Sequence, residues 1–320
     1  FGSRCICRLV APGLAPGMDA SIPGRHGFRR RSEQRQAALD VVWRCTECLV
    51  QAEVSQSAPP ATCDVCWSQL PAALDPAEGE LDEQRAARKR AQVVSLAAYA
   101  LEMMASGSRV VEFGAGSGHL GILLAHLRPD AHVVLVEAKE YSAPVARQRV
   151  EALGLANCRV FHGTVDGFAA TEEPFDLAVG LHTCGLLADA VLALAMRRGA
   201  AACVVPCCYG QVATLKEDHR RGEGTAAMMH PCSSALTAAL GEEGGRAFAW
   251  CAKSADFTAG KGGEFDTGSV GFGTALRCMR TVDTDRLWWA RERGYDGSLA
   301  LLDPPGCSPK CSVVRIRPSR

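Results

Sequence analysis

From residue 109 onward, short β-branched runs alternate with longer stretches in which apolar residues recur every three or four positions. The runs predict strands over 109–113, 132–137, 158–162, 175–181 and 201–206, and the longer periods predict helices over 118–127, 141–153 and 185–197. Such alternation calls for parallel strands, right-handed crossovers and helices on both faces of one sheet. Ahead of it, 85–105 has a helical face of Val93, Leu96, Ala97, Ala100, Leu101 and Met104. Toward the end, 273–293 reads as a helix closed by Gly294, followed by strands over 296–302 and 312–317. Strands that close in sequence pair antiparallel. The expected fold is α/β, a parallel sheet finished by an antiparallel hairpin.

The first third lacks this regularity. Residues 1–36 mix Pro, Gly and Arg without a period and read as a disordered basic tail. Its five arginines between Arg25 and Arg35 suit a solvated segment or contact with a phosphate backbone. Residues 37–70 carry two CxxC pairs, Cys45 with Cys48 and Cys63 with Cys66, separated by fourteen residues. Four thiolates so spaced suit one tetrahedral zinc; incidental or redox pairs are the alternative. The segment is polar and small, so the metal is expected to supply its folding energy. Residues 71–84 read as an acidic, Pro-containing linker. The helix after it begins with Arg85, Arg88, Lys89 and Arg90, either a patch for substrate phosphate or a solvated face.

Composition narrows the class. Apolar residues make up 48% of the 320, enough for a sizeable core, yet no run is long and unbroken enough to cross a membrane. The net charge is zero, so a nucleic-acid surface has to be local. Sixteen cysteines, with CxxC and adjacent pairs, fit metal and reduced thiols better than a secreted disulfide scaffold, which suggests a cytoplasmic or nuclear protein. The sequence opens on Phe1 with Met18 as a candidate start, no secretory signal is evident, and residues 1–35 also have the arginine-rich, acid-poor composition of an organelle transit segment.

The candidate chemistry lies at strand ends. In RVVEFGAGSGHLG, Glu112 closes the first strand, and Gly114, Ala115, Gly116 and Gly118 form a turn whose bare backbone a ligand can approach. NAD and S-adenosylmethionine proteins both use such a turn. Glu137 ends the second strand, where an acid can hold both hydroxyls of a ribose. Asp166 follows the third. The fourth strand runs into GLHTCG and the fifth into VVPCCYG, so His182, Cys184, Cys207, Cys208 and Tyr209 converge on the same crevice. Three readings stand side by side: cysteines that merely pack, a metal site of non-standard spacing, and catalysis. In the last, His182 accepts a proton or a cysteine attacks a pyrimidine ring. Asp303-Pro304-Pro305-Gly306 looks like an amino-methylase motif but falls between the last two strands, where a turn is the better reading.

A parallel sheet with this terminal hairpin resembles that of class I methyltransferases rather than the usual NAD-binding fold. More specifically, FGAGSGHLGILLAHLRP, LVEAKE, LHTCGLLAD, VVPCCYG and CSPK resemble the methyltransferase-like half of the glutathione S-transferase C-terminal-domain-containing protein family, over about residues 83–318. That group is similar to a tRNA 2′-O-methyltransferase family. The resemblance implies S-adenosylmethionine on Gly114, Gly116 and Gly118, its ribose on Glu137 and its adenine near Asp166, with LHTCG and PCCYG on the reaction side. It implies a methyltransferase with RNA as a possible substrate; a non-catalytic binding module is the alternative. Residues 211–270 depart from the pattern, being Gly- and Ala-rich. WRCTEC resembles the opening of a Ran-binding-protein-type zinc finger, except that Ala52 stands where that family has Asn.

Overall fold

The computed structural model describes residues 24–53, 65–78, 81–213, 230–258 and 265–319. Seven strands make one sheet in the order β3-β2-β1-β4-β5-β7-β6. They are β1 Arg109–Phe113, β2 His132–Glu137, β3 Cys158–His162, β4 Leu177–Cys184, β5 Ala201–Cys207, β6 Tyr295–Leu301 and β7 Ser312–Pro318. The first five run parallel, and β7 pairs antiparallel with both β5 and β6. The sequence expectation of a Rossmann-like α/β sheet with a terminal hairpin holds, and each strand lies within three residues of its expected bounds.

Period-two alternation along the strands sorts their side chains onto two faces. Val110, Val133, Leu135, Val179 and Val205 enter one apolar cluster, which α2 Glu83–Met103 and α3 His119–Leu127 cover with Val93, Leu96, Leu120 and Leu123. Val111, Phe113, Val134, Val204 and Ile316 enter the other, under α6 Leu187–Arg197 and α8 Val270–Arg291 with Leu192, Leu194, Leu287 and Trp289. The remaining connections carry α4 Ser142–Ala152 and the short α5 Val165–Ala169. No helix among the described residues is long and apolar enough to cross a membrane.

The N-terminal third departs from expectation. Residues 24–53 form one long helix, α1 Gly24–Glu53, in place of the last part of a tail and the first half of a separate zinc module. Leu39, Val42, Thr46 and Val50, spaced along one face, are buried. Leu39 and Val42 pack in a third cluster with Phe248, Cys251 and Ala252 of α7 Ser234–Ser254 and Met279 and Val282 of α8. Arg277 of α8 lies over the Trp43 ring, 4.2 Å from its centre. Tertiary burial holds α1. The expected linker is also structured: 71–78 contains two short 3-10 turns, with Leu74 and Pro76 buried. Arg90 grips Asp75 through two hydrogen bonds, fixing these turns to α2. The Gly- and Ala-rich 211–270 supplies α7.

Candidate active site

The glycine turn leaves β1 and is bound at once to β2, because the Gly114 and Ala115 N–H groups both donate to Val136 O, at 2.9 and 3.1 Å. Gly116 has φ 58°, a left-handed backbone that suits glycine, and a Cβ added there would meet nothing within 4 Å. That side of the turn is open for a ligand. Gly121, one turn into α3, plays the opposite part. A Cβ there would strike the Leu135 and Glu112 side chains, so its absence lets α3 close onto the sheet. Gly118, in the left-handed region, caps α3.

Glu137 reaches back from the end of β2. Its Oε2 accepts the Gly116 N–H at 2.6 Å and its Oε1 accepts the Lys139 N–H at 2.8 Å. Each carboxylate oxygen can accept a second hydrogen bond, so room remains for a pair of ligand hydroxyls. Asp166 lies in the first turn of α5, just past β3, half-buried, and its carboxylate has no hydrogen bond among the described residues. Glu112 is different. It is buried, and its Oε2 accepts the Gly121 N–H at 2.8 Å. Burial pushes its pKa up to about 7, against the opposing pull of the Gly121 N–H and Lys89. Its carboxylate is engaged with α3 rather than with the face of the turn that is open.

On the reaction side, β4 carries a bulge between Leu181 and Thr183, and His182 is the extra residue, at φ 64°. Bulges of this kind re-aim side chains. The ring's Nε2 lies 2.9 Å from Gln92 Oε1, while the Gln92 amide N–H donates to Cys307 O at 2.6 Å. With Gln92 held that way round, Nε2 carries the imidazole proton and Nδ1 keeps its lone pair. Burial first, then the charge of Lys89, lowers the His182 pKa to about 4, so the ring is neutral at pH 7. Cys184 and Cys207, register partners at the ends of β4 and β5, have sulfurs 3.1 Å apart, and Cys208 lies 3.7 Å from Cys184.

Tyr209 does not join them. Its side chain is fully buried beneath the loop, with the hydroxyl donating to Asp283 at 2.8 Å. Asp283 also accepts the Ser312 hydroxyl at 2.6 Å and an Arg286 N–H at 2.8 Å. Arg286 continues to Asp189 at 2.7 Å, and Asp189 lies 3.2 Å from His230, whose Nδ1 donates to Asp285 at 2.8 Å. The PCCYG loop is therefore underpinned by a buried chain of charges. Asp256, just after α7, clamps the same loop by accepting the Tyr209 and Gly210 N–H groups, at 3.0 and 2.7 Å, and Lys310 of CSPK donates to it at 2.9 Å. Gln92, Asp256 and this charge network belong to no sequence motif. The only trace is a pair of acids and an arginine, Asp283, Asp285 and Arg286, set within an otherwise helical apolar pattern.

Two other expectations separate. Of the basic residues on α2, Arg85 pairs with Asp82 and Arg90 with Asp75, so both are structural. Lys89 instead turns toward Glu112, His119 and His182, where burial lowers its pKa and Glu112 opposes the fall. At the N-terminus, Cys45 and Cys48 are one turn apart on α1, Cys66 precedes a 3-10 turn, and Cys63 lies outside the described residues. Among the described residues, these thiols belong to no three-ligand group.

The sheet order, the open glycine turn and the acid on β2 define a Rossmann-like methyltransferase fold. Sequence comparison agrees: residues 86–215 match the family profile described as a methyltransferase domain, and the chain carries a domain of that class. It is a relative of the glutathione S-transferase C-terminal domain-containing protein of Xenopus laevis, with 33% identity over 248 residues, covering 78% of this chain and 37% of that one. The chain thus spans little more than a third of the length of that curated relative. A shorter likeness, 38% over 80 residues, links it to ribosomal RNA small subunit methyltransferase G of Mycolicibacterium gilvum, covering 24% of this chain and 35% of that one. A solved S-adenosylmethionine-dependent methyltransferase from Aquifex aeolicus aligns at 13% identity and TM-score 0.39, over 74% of this chain and 98% of its own, too distant to add to the sheet order.

Proposed function

We propose that this chain is an S-adenosylmethionine-dependent methyltransferase acting on RNA. The observation that carries the cofactor reading is the Glu137–Gly116 contact beside open space: an acid with unused lone pairs next to a turn with no Cβ in the way. Glu137 would hold the ribose hydroxyls, the turn 114–118 would face the cofactor's backbone-length portion, and Asp166 would meet the adenine amino group. The cofactor supplies an electrophilic methyl group. The protein's part is then to orient the acceptor and receive one proton, and His182 is held for it, with Nε2 tied to Gln92 and Nδ1 left as acceptor.

Support for RNA is of two kinds. Arg88 carries no ion pair among the described residues and stands on the helix that borders the crevice, and one sequence relative is named as a ribosomal RNA enzyme. A structural zinc on Cys45, Cys48, Cys63 and Cys66 remains part of the proposal on spacing alone, with no role in the transfer; loss of bound zinc in Cys48→Ser tests it. The decisive experiment is transfer of labelled methyl from S-adenosylmethionine to fractionated cell extract. Label that is released by ribonuclease and lost in His182→Ala supports the reading. Label that resists ribonuclease and yields to protease contradicts RNA, and absent cofactor binding by folded protein contradicts the enzyme.

A further inference from the structure

At the carboxyl ends of β4 and β5 three thiols meet in a way that packing alone does not require. Cys203, on the same strand β5, is the packing cysteine: it is fully buried in an apolar cluster. Cys184 by contrast is exposed and Cys208 half-buried, and only Cys207 is enclosed. Cys184 and Cys207 are placed side by side by the strand register. Cys208 joins them only by adopting φ 53°, a left-handed backbone unfavourable to any residue with a Cβ. Strain of this kind, held in place by surrounding structure, marks functional positions. Here the Asp256 clamp on the next two N–H groups holds it.

The result is three sulfur atoms all within 4.8 Å of one another, with the separations to Cys184 at 3.1 and 3.7 Å. Thiolates around a tetrahedral zinc, at about 2.3 Å from the metal, stand roughly 3.8 Å apart, so small rotations of the side chains suffice to receive one. We propose that Cys184, Cys207 and Cys208 form a three-thiolate site for zinc at the reaction edge of the sheet. Binding releases the three thiol protons and leaves one net negative charge on the metal and its sulfurs. His182 is not a ligand, since its Nε2 faces Gln92 and it stands outside the three-sulfur group. The fourth corner of the tetrahedron is reached from the exposed Cys184 side and is available to an oxygen or sulfur of an acceptor molecule. The site is independent of whether the chain transfers methyl groups.

Cobalt(II) is the probe, added to the reduced, metal-stripped full chain. In Cys45→Ser/Cys48→Ser, which disables the other thiol set, one cobalt per chain is expected, with tetrahedral d–d bands and a thiolate-to-cobalt charge-transfer band that zinc abolishes on displacing it. Adding Cys184→Ser or Cys208→Ser, at accessible positions where a hydroxyl is tolerated, is expected to weaken binding by more than the roughly tenfold to hundredfold loss that follows from disturbing an outer-shell partner. Adding Cys207→Ser does the same if circular dichroism shows it folded. Absence of the bands in Cys45→Ser/Cys48→Ser overturns the proposal. So does binding that Cys184→Ser and Cys208→Ser both leave unchanged, or a Cys184–Cys207 disulfide that forms equally with and without zinc.

Discussion

Glu137 and Gly116 are twenty-one residues apart in sequence and 2.6 Å apart in space, the carboxylate of one accepting the N–H of the other. The end of β2 thus fixes the middle of the turn that leaves β1. Glu137→Ala removes both the support of the turn and the hydroxyl-binding oxygens. A charged hydrogen bond is worth about 1.5–3 kcal/mol, so S-adenosylmethionine affinity measured by calorimetry is expected to fall about tenfold to a hundredfold. Gly116→Val places a β-branched side chain at φ 58° and fills the open space, and binding is expected to disappear from the calorimetric window. Wild-type affinity in both variants would contradict the placement of the cofactor.

Tyr209 gives a test that separates support from chemistry. Its hydroxyl is buried on Asp283 rather than exposed to the crevice. Tyr209→Phe is therefore expected to cost about 1–3 kcal/mol of unfolding free energy, because Asp283 loses a donor in a dry site. Methyl transfer per folded molecule should stay within about twofold. A hundredfold slower transfer at unchanged stability would return Tyr209 to the reaction.

The α1 helix belongs to the methyltransferase domain if its apolar face does the work the structure assigns. Leu39 is 1% exposed. Leu39→Ala should destabilise the chain by about 2–5 kcal/mol in urea unfolding, as at other fully buried leucines. In a solvated tail or a separate module the same change would alter domain stability by less than about 0.5 kcal/mol.

What the sequence shows and what it hides divide along a physical line. Strands such as His132–Glu137 and the glycine turn are local patterns, set by side-chain period and by backbone that only glycine tolerates well, and they are legible in the sequence. So is the meeting of Cys184 with Cys207, because parallel strands bring their carboxyl ends to one edge. The bulge at His182 is not, since it depends on how β4 pairs with β5. The α1 face of Leu39 and Val42 is masked in the sequence because a run of arginines precedes it and two CxxC pairs overlay it, and its partner α7 lies in a Gly- and Ala-rich stretch. Asp75, Asp256 and Asp283 looked like ordinary polar residues, and only tertiary structure supplies the Arg90, Tyr209 and Lys310 groups they bind.

The buried charges under the PCCYG loop make a pH prediction. His230 faces Asp189 on α6 and Asp285 on α8, with Arg286 and Cys232 also close by. Burial opposes a charge on the ring, but the two carboxylates outweigh burial and Arg286, and the pKa rises to about 9. The unfolded value is about 6.5. A histidine whose folded pKa lies above its unfolded one contributes stability that is fully present below about pH 6.5 and is lost as pH climbs through 9. Unfolding free energy is therefore expected to decline between pH 6.5 and 9 by up to about 1.4 kcal/mol per pH unit from this group. His230→Gln keeps a polar side chain but cannot titrate, so it should lower stability at pH 6.5, remove this decline and converge on the wild type near pH 9.5. The measurement is urea unfolding across that range. A wild-type slope that His230→Gln leaves intact would show that the ring is neutral in the folded chain and that Arg286 alone balances Asp189.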